Sequence, residues 1–176
     1  MQPVQPVRIE DLALENVAAH RSDCGEIVHV EFARPKVANA LNVAHLHDIE
    51  TASLALRDDD QCRVVIFSGQ GKHFSSGADL SEPRPAADES LTLRRRTKRI
   101  GERAVKAVLG IDQITIAAWQ GAAVGGGACL ATAMDFRVGA EGCFMQYPEI
   151  DLGMNLMWKS LPLIVDLVGP ARAKHL

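Results

Sequence analysis

Polar and apolar positions along this chain follow two periods, one typical of strands and one typical of helices. In residues 26–32 every second side chain is apolar, which predicts a strand with one buried face. Residues 43–56 carry apolar side chains at helical spacing, with Asp48 and Glu50 off that stripe. This second pattern predicts an amphipathic helix soon after the strand.

Strand and helix patterns continue to alternate through the rest of the chain. Residues 63–68 form an almost unbroken apolar run, which favours a strand buried on both faces, and residues 91–109 predict one long helix. The other predicted elements are a strand at 114–119, a helix opening at the glycines 125–127, short strands at 135–139 and 143–146, and a helix at 157–168 that ends near Gly169. Such alternation is typical of an α/β fold, a mainly parallel sheet wrapped by helices.

These elements divide the chain into three parts. Residues 1–25 form an N-terminal leader and the approach to the first strand, residues 26–168 form the core, and residues 169–176 begin a C-terminal helical region. A chain of 176 residues is long enough to bury a hydrophobic core, so we expect a single domain.

Residues 113–134 carry no charged side chain, which suits either a deep core or a membrane span. Their length fits a spanning helix, and Gly121 and Gly125 are spaced as in packed spanning helices. However, three consecutive glycines would break such a helix near its middle, and neither flank offers Lys or Arg anchors. We therefore expect core around a special turn, and no membrane partner.

Charge and cysteine content restrict the class of protein. The net charge of −3 gives no electrostatic reason to expect a nucleic-acid partner. The cysteines show neither a CxxC pair nor metal-ligand spacing, which indicates reduced thiols and a cytoplasmic location. The N-terminus lacks the basic stretch and apolar core of a secretory signal.

Three patterns resemble functional sites but have simpler explanations. His45 and His47 point to different faces of the predicted helix, so surface positions are favoured over a metal site. The cationic run 94–99 is favoured as a solvated helix face, with a phosphate-binding patch as the alternative. His73 beside Ser75 would suit a serine hydrolase, but the sequence offers neither a nucleophile elbow nor an identifiable Asp partner.

Two glycine-containing turns share one physical design. Residues 75–79 and 125–127 each follow a predicted strand and leave backbone amides without a partner in the sheet. At the second turn a helix begins, where the first amides are unpaired and the helix dipole is positive. Two such amides that converge would form an oxyanion hole for a carbonyl that becomes an enolate. Each segment can equally be a tight turn without function, and spacing alone favours that explanation.

The chain resembles a known family in four motifs and in the spacing between them. The motifs are residues 34–41 (RPKVANAL), 74–80 (FSSGADL), 118–121 (AWQG) with the triplet 125–127, and 148–153 (PEIDLG). Any one of these motifs is weakly specific. Their order and spacing resemble those of the crotonase family, which comprises the enoyl-CoA hydratases and isomerases, over nearly all of residues 26–176.

The resemblance implies a crotonase-like ββα spiral, the ClpP/crotonase fold, that binds acyl-CoA thioesters. Position in the motifs implies that the amides of Ala78 and Gly126 form the oxyanion hole and that Glu149 moves the proton. The residues implied to bind the substrate or its CoA are Lys36, Val37, Ala38, Ser76, Gly77, Asp79, Leu80, Gly125 and Pro148. The resemblance further implies a homotrimer or a dimer of trimers, no metal, and no cofactor besides the CoA of the substrate.

The chain departs from the hydratase pattern in three places. Cys129 stands where hydratases carry a second glutamate, and a thiol is a poor replacement for a carboxylate that deprotonates water. For this residue a small core position is favoured over a nucleophile. Residues 154–159 are bulkier than the glycine-rich turn of hydratases and could fill the water site. Family members also continue further, so we expect either a fragment of a longer protein or a truncated, inactive product.

The first two departures favour double-bond isomerisation, in which one carboxylate shuttles a proton between carbons, over hydration. Three alternatives stay open from the sequence: an enoyl-CoA hydratase with an atypical water site, an acyl-CoA hydrolase, and a truncated protein that only binds acyl-CoA.

Overall fold

The computed structural model describes residues 7–83 and 88–176, which fold around a five-stranded sheet. The strands in chain order are β1 (Val17–Arg21), β2 (Ile27–Phe32), β3 (Val64–Gly69), β4 (Ile114–Trp119), β5 (Ala122–Val124), β6 (Phe136–Gly139) and β7 (Phe144–Gln146). The helices are α1 (Val43–Arg57), α2 (Leu91–Lys98), α3 (Ile100–Leu109), α4 (Gly126–Thr132) and α5 (Ser160–Ala173), with 3₁₀ turns at Ile9–Asp11 and Pro35–Val37.

The large sheet is mainly parallel, as predicted from the sequence. Its strand order is β1-β2-β3-β4-β6, in which β2, β3, β4 and β6 pair in parallel and β1 pairs antiparallel at the edge. Strands β5 and β7 form a separate parallel pair. Parallel neighbours need a crossover connection. Helix α1 lies in the first crossover, α2 and α3 in the second, and α4 in the third.

Strand β1 lies within the segment that was predicted to be a leader and the approach to the first strand. Val17 pairs with Phe32 across the antiparallel edge, and Ile9 is buried in the core. Val17 is the one buried residue of β1, so the strand lacks the alternation that would have predicted it. Part of residues 1–25 therefore belongs to the folded core, whereas residues 1–6 lie outside the described part of the chain.

The prediction that the apolar run 63–68, which forms most of β3, is buried on both faces is wrong. Val65 and Phe67 are fully buried. Val64 and Ile66, on the opposite face, are only half-buried. The pairing register continues that second face across the sheet to Phe136, which is 57% exposed. Within the described residues, the packed core lies on one face of the sheet and the other face is largely open.

Helix α1 follows the predicted pattern on its core face but not at every polar position. Asn42 caps the helix, since its side chain accepts a hydrogen bond from the His45 amide at 2.8 Å. Glu50 was predicted to lie off the buried stripe, but it is buried and accepts hydrogen bonds of 2.8 and 2.6 Å from Arg103. The carboxylate is tolerated there because the guanidinium of α3 neutralises it.

His45 is also buried, so the predicted surface position is wrong for this residue. Its ring lies edge-on to Phe32 with centroids 5.2 Å apart, and its Nδ1 lies 3.3 Å from the Ala40 carbonyl oxygen. Burial lowers the pKa of His45 to about 4, which keeps the ring neutral in the core. His47 is exposed, and in residues 7–83 and 88–176 no group of three or more His, Cys, Asp or Glu side chains could hold a metal ion.

The other elements differ from prediction mainly at their boundaries. The predicted helix 91–109 is divided at Arg99 into α2 and α3, and the cations of α2 are largely exposed. Helix α5 continues past Gly169 through a kink, where φ is 79°. Residues 113–134 form β4, β5 and α4. Among the described helices, none has both the length and the apolar character that crossing a membrane requires.

Candidate active site

Residues 75–79 run as an extended segment between two other pieces of backbone. On one side the Leu41 amide donates to the Gly77 carbonyl at 2.8 Å, and the Asp79 amide donates to the Leu41 carbonyl at 3.1 Å. On the other side the segment pairs with Ala123 of β5. These bonds fix the first glycine turn beside the N-terminus of α4, where the second one lies.

Gly77 allows this segment to approach α4 closely. Its φ of +90° lies in the left-handed region, and a Cβ there would stand 2.6 Å from the Val124 carbonyl oxygen and 3.3 Å from the Gly126 amide nitrogen. Any side chain at this position would therefore push the two turns apart. Ala78, the next residue, lines the same cavity as Gly126 at the start of α4.

The amides of Ala78 and Gly126 have no hydrogen-bond acceptor in the described chain. The amides on either side of Ala78 are bonded, but its own is not. Gly126 is the first residue of α4, and the preceding Gly125 has no side chain with which to cap it. Ala78 and Gly126 line one cavity of about 180 Å³. Two residues whose amides have no acceptor in the described chain therefore line the same cavity.

Glu149 supplies a carboxylate to the same cavity. It lies in the turn that follows β7. The Met154 amide donates a hydrogen bond of 2.8 Å to the Glu149 carbonyl and closes this turn. Its Oε1 would lie 3.2 Å from a Cβ on Gly125, so the carboxylate fits beside the triplet because that residue is glycine. Its Oε2 is buried without a hydrogen-bond partner among the described residues. Burial raises the pKa of Glu149 above its usual value.

The cavity brings together most, but not all, of the predicted site residues. It is lined by Ser76, Gly77, Ala78, Leu80, Gly125, Gly126, Cys129, Pro148 and Glu149. It is not lined by Lys36, Val37, Ala38 or Asp79. The turn that carries the first three lies next to the site, because the Ala38 carbonyl accepts a hydrogen bond from the Ser76 amide at 3.0 Å.

Asp79 supports the loop together with two residues for which no role was predicted. It accepts a hydrogen bond from Arg34 at 2.9 Å, and hydrogen bonds from Ser81 and Arg34 lower the pKa of its carboxyl. The buried Asn39 accepts a hydrogen bond from the Arg34 amide at 2.9 Å and donates to two carbonyls of the 70–73 turn at 2.9 and 2.8 Å. Both residues lie in the first family motif, but one sequence does not distinguish a residue that supports the loop from one that binds.

Cys129 lies on α4 at the wall of the cavity, and only 1% of its surface is exposed. Its Sγ lies 3.0 Å from the Oγ of Ser160. Burial raises the pKa of the Cys129 thiol to about 12, so the group is neutral near pH 7. A neutral, buried thiol cannot take the part of a carboxylate base, which agrees with the predicted core position.

His73 and Ser75 do not form the catalytic pair of a hydrolase. His73 accepts a hydrogen bond from the Ala122 amide at Nδ1, over 3.1 Å. The buried Ser75 hydroxyl donates to the Asn39 carbonyl at 2.8 Å. Both side chains are therefore bound to the backbone of the loops that surround the site.

Trp158 was predicted only as one member of a bulky segment, but it is a wall of the cavity. Its indole ring occupies the space where a Cβ on Gly126 would lie. Nothing local in the sequence indicates this contact, because it joins residues that are far apart in the chain.

Comparisons with known proteins identify a family and several relatives. Residues 23–176 match the family model described as Enoyl-CoA hydratase/isomerase. The chain is 31% identical over 166 residues to a crotonyl-CoA hydratase from Syntrophomonas wolfei, covering 94% of this chain and 62% of that protein. It is 32% identical over 160 residues to a peroxisomal Delta(3,5)-Delta(2,4)-dienoyl-CoA isomerase from Arabidopsis thaliana, covering 85% of this chain and 57% of that protein.

Solved structures share the fold. A crystal structure of an enoyl-CoA hydratase from Bacillus anthracis matches with a TM-score of 0.82 at 29% identity, over 92% of this chain and 62% of that one. The chain thus spans less than two thirds of the length of these relatives. The family match, the order of the motifs and the shared fold lead to one conclusion: this chain belongs to the enoyl-CoA hydratase/isomerase family and has the crotonase fold.

Proposed function

We propose that the protein acts on acyl-CoA thioesters and moves a carbon–carbon double bond. The amides of Ala78 and Gly126 donate hydrogen bonds to the thioester carbonyl oxygen, and Glu149 transfers the proton. One observation carries the proposal: in the described chain, Glu149 is the only carboxylate that lines the cavity containing both amides.

The proposed reaction needs one base and one place for negative charge. The Glu149 carboxylate takes a proton from carbon 2 of a 3-enoyl thioester, and the electrons of the broken C–H bond move towards the carbonyl to give a dienolate. The two amides stabilise the charge on the oxygen. The Glu149 carboxylic acid then gives its proton to carbon 4, which leaves the double bond between carbons 2 and 3. Because the step is proton transfer alone, it needs neither a metal nor a redox cofactor, and CoA enters with the substrate.

The surroundings of Glu149 suit this role. Burial raises its pKa, and a carboxylate with a raised pKa is a stronger base towards a C–H bond than an exposed one. Its buried Oε2 accepts no hydrogen bond from the described protein, so no protein donor holds the carboxylate in its charged form through this oxygen.

The proposal puts the CoA portion of the substrate along Lys36, Val37 and Ala38. Lys36 and Val37 are exposed. Ala38 is bonded through its backbone to Ser76 at the cavity. A thioester whose carbonyl lies at the two amides would therefore reach solvent past this turn.

Hydration is the second candidate, since one of the relatives is a crotonyl-CoA hydratase. Addition of water needs a second group that positions and deprotonates the water. Cys129 is a neutral thiol near pH 7, and its Sγ forms a hydrogen bond with the Oγ of Ser160. The ring of Trp158 also occupies space directly beside Gly126. Both observations favour isomerisation.

The test compares two substrates and two variants. The wild-type protein is assayed with a 3-enoyl-CoA for 2-enoyl-CoA and with crotonyl-CoA for 3-hydroxybutanoyl-CoA, and we expect isomerisation to be the faster reaction. Glu149→Gln should lower isomerisation by roughly 10²- to 10⁴-fold, the usual contribution of a general acid–base group, while acyl-CoA binding is retained. Glu141→Gln makes the same change at an exposed position outside the cavity, so it is the matched control and should keep the wild-type rate.

Four outcomes would contradict the proposal in different ways. Full isomerisation by Glu149→Gln would remove the assigned base. Faster hydration than isomerisation would identify a hydratase, and release of free CoA thiol from acyl-CoA would identify a hydrolase. Binding of acyl-CoA without any turnover would identify a protein that binds but does not catalyse.

A further inference from the structure

Trp158 lies between two helices, and each of them presents a glycine to its ring. A Cβ on Gly101 of α3, or on Gly126 of α4, would overlap atoms of the indole. Glycine inside a helix is less favourable than alanine, so Gly101 lowers the stability of α3 when considered alone. The missing side chain at Gly101 is instead what allows a large flat ring to lie against the backbone of α3.

The residues that follow Trp158 hold the ring in this position. Lys159 forms an ion pair of 3.0 Å with Glu102 of α3. Ser160, the first residue of α5, is fully buried, and its Oγ lies 3.0 Å from Cys129 Sγ on α4. The chain is therefore bound to both helices directly after the tryptophan, which places the indole at the wall of the site.

This wall separates two cavities. On one side is the cavity of about 180 Å³ that contains Ala78, Gly126 and Glu149. On the other side is a cavity of about 310 Å³, whose lining includes Arg95 and Arg99. Among the described residues, Trp158 and its neighbour Met157 are the ones that line both cavities. Removal of the indole would therefore join the two spaces.

The size of the inner cavity limits what it can hold. Pockets for drug-sized ligands usually measure roughly 300–1,000 Å³, and the inner cavity is well below that range. Its other walls include the apolar side chains of Leu80, Leu152 and Leu156. An acyl chain whose carbonyl lies at the two amides would meet the indole after a few carbons. We propose that Trp158 is a specificity-determining residue that restricts the substrate to short acyl chains such as butenoyl; this inference rests on the acyl-CoA function proposed above.

Binding of saturated thioesters tests the inference independently of turnover. Butanoyl-CoA and octanoyl-CoA have no double bond to move or hydrate, so calorimetric titration of each measures binding alone. We expect the wild-type protein to bind butanoyl-CoA at least about tenfold more tightly than octanoyl-CoA, since even one extra methylene costs roughly 10–200-fold in an apolar pocket. Trp158→Ala should lose this preference or reverse it.

The variants are chosen to separate specificity from folding. Trp158→Leu keeps an apolar side chain against both helices but removes the ring, so it replaces Trp158→Ala if that variant does not fold. Leu161→Ala, at an exposed position of α5 outside both cavities, is the control and should keep the wild-type preference. Thermal unfolding of each variant measures the loss of packing separately from the ratio of the two affinities.

The results distinguish failure of the inference from failure of the proposed function. Equal binding of the two thioesters by the wild-type protein would overturn the inference but not the acyl-CoA assignment. An unchanged preference in folded Trp158→Ala or Trp158→Leu would do the same. If neither thioester binds to the wild-type protein, the acyl-CoA assignment is wrong and the inference fails with it.

Discussion

Glu149 has a partly buried carboxyl group whose proposed role requires its charged form. Because burial raises its pKa, the base is protonated, and activity is lost, at a higher pH than for an exposed glutamate. We expect the acidic limb of kcat/KM against pH to have its midpoint above about 4.3, the ordinary value for glutamate. Circular dichroism over the same pH range shows whether the protein stays folded. A midpoint at or below the ordinary value would contradict the role given to burial.

The raised pKa of Glu149 also makes the stability of the protein depend on pH. A carboxyl whose pKa is raised by folding binds its proton more tightly in the folded state, so its contribution to stability falls as pH rises from the unfolded towards the folded pKa. Glu149→Gln removes this effect. In urea unfolding the variant should therefore be at least as stable as the wild type near pH 7, and its advantage should shrink as pH falls through that window.

Substitution of Gly77 and of Gly25 by alanine separates two costs of a side chain in a turn, the strain of a positive φ and the clash with neighbouring atoms. Both residues have positive φ, +90° and +79°, where an L-residue costs about 1–2 kcal/mol. A Cβ on Gly25 would meet nothing within 4 Å, whereas one on Gly77 would meet the Val124 carbonyl oxygen at 2.6 Å. We expect Gly25→Ala to lose about that much stability and keep its activity. Gly77→Ala should lose more stability and most isomerisation, because the Ala78 amide is displaced.

Urea unfolding and the isomerase assay, performed on both of these variants, provide the comparison. If Gly77→Ala retained the same activity as Gly25→Ala, the close approach of the two turns would not be needed for catalysis. If the two variants lost the same stability, the clash with Val124 would be relieved by a small movement of the backbone.

Elements that bury one face by themselves are the ones that the sequence predicts well. The alternation in β2 and the apolar stripe of α1 are of this kind. Strand β1 was missed because Val17 is its one buried residue. Burial of β3 on both faces was predicted wrongly, because an apolar run does not reveal whether anything covers the second face.

At the candidate site, the motifs indicated Glu149 and both glycine turns. The contact of Trp158 with Gly101 and Gly126 was not indicated, because it exists only after distant segments have packed together.

Across the whole molecule, the open face of the sheet presents large apolar side chains to solvent. Phe136 and Val138 of β6 are 57% and 61% exposed. Ile114 of β4 is 48% exposed, and its register with β3 places it on the same face as Val64. Exposed apolar surface of this kind favours association. We propose that the protein self-associates through this face, and a homotrimer is the assembly that the family resemblance leads us to expect.

Sedimentation of the wild type and two variants tests this assembly. Phe136→Lys puts a charge on the open face and should shift the protein towards the monomer at micromolar concentration. Gln146→Lys makes the same change in charge at an exposed position of β7 and should leave the assembly unchanged. A wild-type protein that sediments as a monomer, or a Phe136→Lys assembly of unchanged mass, would show that this face is not an interface.

The position of Trp158 at the cavity also makes its fluorescence sensitive to a bound ligand. The chain has two tryptophans, and Trp119 does not line the cavity. Indole fluorescence depends on the polarity of its surroundings, so an acyl group that replaces water against Trp158 changes the emission spectrum. With Trp119→Phe the remaining tryptophan is the one at the cavity. The protein then reports the arrival of its own ligand, without a label and without turnover.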